Sequence, residues 1–211
     1  MNPKNGLRTL AANTRNIYEQ YGPQYDAERV KNLFECNWLL RFEALLPKPA
    51  SILDAGCGAG EPIAQYFIQN GHELTGVDFA TSMIALAKER FPDSKWLVVD
   101  MRTLRLARTF DGIIGWHSFF HLTPDEQRAT LQHFARHLRP QGALLLTVGP
   151  QANEVIGHVS GQQVYHSSLS LREYRDILHR LDMVLVDFVA EDPECDYATV
   201  MLAQKTEQKA Q

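Results

Sequence analysis

Much of what bounds this chain is missing from it. No apolar run approaches the roughly 18 residues a membrane-spanning helix needs, and the N-terminus lacks a signal-peptide pattern. No stripe of positive charge is visible. Lys and Arg number 21 against 25 Asp and Glu, a net charge of −4, so nucleic acid is disfavoured as a partner. Cysteine is scarce: Cys36, Cys57 and Cys195 are widely spaced, with no C-x-x-C, and indicate neither a disulfide framework nor a zinc site. These absences predict a soluble, cytoplasmic protein with no membrane, nucleic acid or metal in its function. The rest is ordinary for a single globular domain: 211 residues, 45% hydrophobic and 22% charged, enough to bury a core without staples.

The informative stretch is Ser51–Glu61, SILDAGCGAGE. An apolar run ends in a carboxylate, Asp54, and a glycine-dense turn follows. The next segment, Pro62–Ile68, reads as a helix. Strand, tight glycine loop and helix start make a place where backbone approaches a ligand closely, at the strand edge where open α/β sheets bind ligands. The glycine frame selects the ligand. A dinucleotide fingerprint wants G-x-G-x-x-G, but here Glu61 stands in the third glycine's place, and the frame is G-x-G-x-G with Gly56, Gly58 and Gly60. Asp54 and Glu61 flank it, which repels a pyrophosphate and favours a cation. A second short strand, Glu73–Val77, ends in Asp78. An acid about 20 residues past the loop is placed to accept hydrogen bonds from ribose hydroxyls.

The stretches Leu53–Gly60 and Gly76–Ala80 resemble the first two motifs of class I S-adenosylmethionine-dependent methyltransferases of the small-molecule type. The resemblance covers roughly residues 17–205 and implies S-adenosyl-L-methionine as cofactor, held by Asp54, Gly56, Gly58, Gly60, Asp78, Phe79, Asp100, Met101 and Trp116. It also implies a seven-stranded, mostly parallel, doubly wound α/β sheet of order 3-2-1-4-5-7-6 with the last strand antiparallel. Periodicity alone gives a doubly wound α/β domain. Tyr25-Asp26 resembles a segment that folds over the bound cofactor in such enzymes, so residues 1–46 are expected to form a helical arm or lid on a domain spanning 47–205. A frayed tail is expected at 206–211.

Local signals fill in the remainder. Asn13 is expected to cap a short helix that Gly22-Pro23 stops. Val30, Leu33, Phe34, Trp38, Phe42 and Leu45 predict one amphipathic helix over 28–46. A helix is expected at 81–90, capped by Thr81 or Ser82. Thr123-Pro124-Asp125-Glu126 is a capping box, as is Ser170–Glu173. Residues 149–169 interrupt the alternation and read as a hairpin at the ligand edge, a candidate substrate lid.

Methyl transfer from a sulfonium is an in-line displacement and needs few covalent groups. Where an acceptor must lose a proton, His117 after the fourth strand and His166 in the 149–169 segment are the candidate bases. Tyr25, His121 and Tyr165 are candidate substrate contacts. His117 and His121 share metal-pair spacing, but no third ligand sits at zinc spacing. His133 and His137 share that spacing on a face expected to be solvated. Two other readings stay open: a non-catalytic S-adenosylmethionine-binding module, and a nicotinamide-dependent oxidoreductase, which Glu61 disfavours.

Overall fold

The computed structural model describes residues 3–207; residues 1–2 and 208–211, most of the stretch expected to fray, lie outside the described residues. Among the described residues, nine strands and six α-helices follow one another along the chain. Seven strands form one sheet: β1 (Ser51–Ala55), β2 (Glu73–Asp78), β3 (Lys95–Val98), β4 (Phe110–Gly115), β5 (Leu138–Val148), β8 (Met183–Asp192) and β9 (Ala198–Lys205). Their order is β3-β2-β1-β4-β5-β9-β8. The first five run parallel, and β9 is antiparallel to both its neighbours. Counting only this sheet, that is the 3-2-1-4-5-7-6 arrangement expected from the sequence. β6 (Asn153–Val159) and β7 (Gln162–Ser168) form a separate hairpin, turned by Ser160-Gly161 with both residues at positive φ.

The period of two along each strand splits the core into two layers. Leu53, Ile113, Leu144, Leu146 and Met201 face α5 (Pro124–His137) and α6 (Leu171–Arg180). Ile52, Ile114, Leu145 and Val200 face α2 (Cys36–Glu43), α3 (Ile63–Gln69) and α4 (Thr81–Arg90). Helices on both faces make the sheet doubly wound. Thr123 and Glu126 close a reciprocal capping box on α5, and the Ser170 hydroxyl accepts from the Glu173 N–H on α6.

The N-terminal third departs from expectation. Helix α1 (Pro3–Glu28) runs straight through Gly22-Pro23. Proline in a helix interior strips the hydrogen bond from the carbonyl four residues back, here that of Glu19. The orphaned carbonyl is taken up by α4, where the Ser82 hydroxyl donates to it at 3.1 Å. Gly22 serves the same contact: a Cβ there would stand 2.7 Å from Met83 Sδ. The pair is therefore a docking surface, not a stop. Glu19 also caps α4 through its carboxylate, which accepts from the Thr81 N–H at 2.6 Å, so neither Thr81 nor Ser82 is the cap. The amphipathic helix expected over 28–46 shrinks to α2. Trp38 and Phe42 are buried as expected, but Val30, Leu33 and Phe34 are exposed. Residues 29–35 are held instead by polar anchors, Arg29 to the Glu61 carbonyl and Lys31 to the Glu61 carboxylate. Two smaller corrections concern single residues. Thr206 is hydrogen-bonded to the Asp182 carbonyl. His137 is buried, with Nε2 accepting from the Leu106 N–H.

Candidate functional site

The sheet carries a cleft at the carboxyl ends of β1, β2 and β4, roofed by α1, with about 880 Å³ of space inside it and its open mouth. Its floor is the glycine loop. Gly56 and Gly58 adopt φ of +82° and +53°, and a Cβ on Gly56 would stand 2.3 Å from Ser118 Cβ. No residue but glycine closes this turn without displacing the 116–118 segment. Four of the loop amides are engaged. Gly56 and Cys57 donate to the Val77 carbonyl, Gly60 donates to the Cys57 carbonyl, and Gly58 donates to Asp78 Oδ2 at 3.0 Å. Asp78 Oδ1 accepts from the Ala80 N–H at 2.8 Å, which fixes the carboxylate at the cleft edge. Burial pushes its pKa up to about 6, with the two N–H bonds opposing. Asp54 is raised to about 7, by burial first and by the charge of Asp78 second.

The roof is α1. Thr14, Arg15, Tyr18 and Tyr25, with Arg29 just beyond it, face the cleft. The roof is pinned by ion pairs: buried Asp26 binds Arg90 of α4 through both oxygens and lies 3.5 Å from Lys31. Tyr18 crosses the cleft to His121, with 2.9 Å between its hydroxyl and Nε2, while Nδ1 lies 3.0 Å from the Tyr165 carbonyl. A carbonyl accepts only, so Nδ1 carries the proton and Tyr18 donates to Nε2. Burial lowers the His121 pKa to about 3, so the ring is neutral.

His117 is the junction of the site. It sits at φ +49° directly after β4, its N–H held by Thr147 Oγ1 at 2.7 Å. Its ring stacks on Trp116 and touches Phe120, which in turn packs on His166 at 4.6 Å between ring centres. The ring surface opens onto cavities while protein surrounds it. Desolvation, reinforced by Arg29, brings its pKa down to about 4. Burial also lowers His166. A second cavity, behind β5 and under the β6–β7 hairpin, meets the first at His117 and is lined by both histidines.

The expected site residues thus separate. Gly56, Gly58, Asp78, Phe79, Asp100, Met101, Trp116, His117, His121 and Tyr25 line the cleft. Asp54 and Gly60 lie behind its wall. Gly60 is packed under Trp96 and Phe91. Asp100 faces the cleft with both oxygens engaged by Arg102; burial alone would raise its carboxyl, and Arg102 holds it below the usual range. Tyr165 is a correction. It is fully buried and lines neither cavity, and its hydroxyl donates to Glu154 at 2.6 Å. Adjacent residues of a strand point to opposite faces, so Tyr165 and His166 cannot both look into the same cavity. Sequence reasoning passed over Tyr18, Arg29 and Ser118. Tyr18 had a signal, the tyrosine cluster it shares with Tyr21 and Tyr25. Arg29 and Ser118 had none.

Comparison with known proteins agrees with this geometry. Residues 52–142 match the methyltransferase domain family model. Over 102 residues the chain is 30% identical to dTDP-3-amino-3,4,6-trideoxy-alpha-D-glucopyranose N,N-dimethyltransferase of Streptomyces venezuelae, covering 47% of this chain and 43% of that protein. Over 138 residues it is 30% identical to the putative methyltransferase YqeM of Bacillus subtilis, covering 63% and 55%. The chain thus spans about half the length of the curated relatives it matches. Among solved structures, the 1,6-didemethyltoxoflavin-N1-methyltransferase of Burkholderia thailandensis, bound to 1,6-didemethyltoxoflavin and S-adenosylhomocysteine, superposes with a TM-score of 0.72. The two are 22% identical, over 98% of this chain and 92% of that one. Residues 52–142 thus match the methyltransferase domain family, and the likeness to the solved structure shows a shared fold.

Proposed function

We propose that this protein transfers a methyl group from S-adenosylmethionine to a small-molecule acceptor. The observation that carries the reading is the state of the glycine loop. Its N–H groups at Gly56, Cys57, Gly58 and Gly60 all donate within the protein, so these four are not free to cradle a phosphate, while a carboxylate, Asp78, stands at the cleft edge. That donor set suits a ligand with ribose hydroxyls and positive charge and suits a dinucleotide poorly. Asp78 would hold the ribose, and Phe79 and Met101 would bound the base. The cofactor, when bound, supplies a methyl group on a positively charged sulfur.

What the chain's own residues supply is placement and exclusion of water. Holding acceptor and methyl in line is worth about 7–11 kcal/mol of the barrier. With a pKa near 4, His117 is neutral at pH 7 and is a poor proton store. It orients an acceptor N–H or O–H as a hydrogen-bond acceptor rather than holding its proton. Helix α1 serves as a lid over the cofactor, and the hairpin at 149–169 covers the acceptor. A cytoplasmic setting fits the three free thiols. Titration calorimetry with S-adenosylmethionine, S-adenosylhomocysteine and NAD is the direct test. Binding of the first two but not the third is expected, followed by formation of S-adenosylhomocysteine when an acceptor is supplied. NAD binding alone overturns the reading.

A further inference from the structure

The second cavity has a composition that narrows the acceptor. It encloses about 830 Å³ with its mouth, at the carboxyl end of β5, and shares His117 as a wall residue with the cofactor cleft. Its walls mix apolar groups such as Phe120 and Val155 with uncharged polar ones such as Thr147 and Asn153. Among the described residues no lysine or arginine lines it, and the one charged residue that does is Glu191. His117 and His166 line it, and their imidazoles form no hydrogen bond among the described residues; desolvation lowers the pKa of each. An anion entering this space meets Glu191 and finds no cation in the wall. A cation meets the same carboxylate and two aromatic residues of the lining, Phe120 and Tyr197, whose rings can attract positive charge. Backbone strain gathers here too. His117, Glu191 and Tyr197, three of the cavity's wall residues, hold positive φ, a conformation that persists where surrounding structure enforces it.

The geometry points to this cavity as the acceptor site and to a primary or secondary amine, carried on a small polar molecule, as the acceptor, to the exclusion of phosphates and carboxylates. This rests on the methyltransferase reading above. The amine arrives as an ammonium at Glu191 and gives a proton to solvent at the mouth. The free nitrogen lone pair then forms the N–C bond as the S–C bond breaks. The S–C electron pair stays on sulfur, and the positive charge passes to nitrogen. The methylated ammonium loses its second proton to water.

Three probes matched in shape and differing in charge test the proposal: tyramine, tyrosol and 4-hydroxyphenylacetate. Each is titrated by NMR into protein saturated with S-adenosylhomocysteine, whose own binding is measured first, so that failure of the cofactor reading shows separately. Tyramine should bind most tightly and 4-hydroxyphenylacetate least. Glu191→Gln should weaken tyramine by about fivefold, the range of a single partly exposed charge pair, and leave S-adenosylhomocysteine affinity unchanged. Asp196→Asn, in a neighbouring cavity, should leave tyramine binding as it was. Tyramine binding no tighter than tyrosol, preferred binding of the carboxylate, or a preference that follows Asp196 instead of Glu191 overturns the proposal.

Discussion

Asp54 and Asp78 lie near the carboxyl ends of neighbouring parallel strands; the charge of Asp78 raises Asp54, while Asp100 and Glu19 act on Asp78. Their work differs. Asp78 faces the cleft with its oxygens fixed by Gly58 and Ala80, so its loss removes acceptors already aimed at a ligand. Hydrogen bonds to charged groups are worth about 1.5–3 kcal/mol each, so Asp78→Ala should weaken S-adenosylhomocysteine about 10–100-fold in calorimetry. Asp54 lies behind the wall, and its raised pKa has a stability consequence. A carboxyl whose folded pKa exceeds its unfolded value of about 3.9 costs nothing at low pH. The penalty grows as pH rises from there to about 7 and is then complete. Asp54→Asn should therefore raise the melting temperature at pH 8 and leave it nearly unchanged at pH 4, by about 2–4 °C for each kcal/mol relieved. A stabilisation equal at both pH values would contradict the assignment. At this scale the sequence was legible wherever a residue's role is set by its own loop. Gly56 and Asp78 are of that kind, because turn geometry and strand ends are local. Tyr18 meeting His121 was not legible, because that contact joins residues more than a hundred positions apart.

Among the elements, α1 shows how a tertiary contact overrides a local signal. Gly22-Pro23 reads as a helix stop when taken alone. The contact with α4 reverses that reading, because it supplies a donor for the carbonyl that Pro23 orphans and needs the space that Gly22 leaves. Strand β2, helix α4 and the starts of α5 and α6 were legible within a residue or two, since their period, and for α5 and α6 their caps, agree with their packing. The 28–46 segment was not, since its periodicity continues through residues that polar anchors hold at the surface. The roof's attachment is electrostatic as well as apolar. Buried Asp26 has a carboxyl that burial alone would raise, but the Arg90 and Lys31 bonds hold it below the usual range. Its contribution is thus present at neutral pH and disappears only as pH falls below the ordinary carboxylate range. Asp26→Asn should loosen α1 selectively. Hydrogen exchange should quicken across α1 while the amides of β1, β4 and β5 keep their protection, and S-adenosylhomocysteine affinity should fall several-fold, roughly 1 kcal/mol. Uniform loss of protection would mean instead that α1 belongs to the core's cooperative unit.

At the scale of the molecule, the cleft is closed by α1, from the start of the chain, lying over strand ends from the middle. That closure sets its electrostatics. Burial raises the pKa of both Asp54 and Asp78, and Arg29, just past the end of α1, lowers Asp54 in part. Together these leave two carboxyls titrating between about pH 6 and about pH 7. A ligand that brings positive charge stabilises their ionised forms and lowers both pKa values, so binding in that interval must expel protons. Calorimetry of S-adenosylmethionine binding at pH 6.5, in buffers of different ionisation enthalpy, should show net proton release. S-adenosylhomocysteine, which lacks the sulfonium charge, should release fewer. The affinity for both should fall as pH drops below about 6, where Asp78 protonates and loses acceptor strength. Proton uptake, or release that survives unchanged in Asp54→Asn and Asp78→Ala, would place the linkage elsewhere in the protein and remove the two strand-end carboxyls from the account of binding.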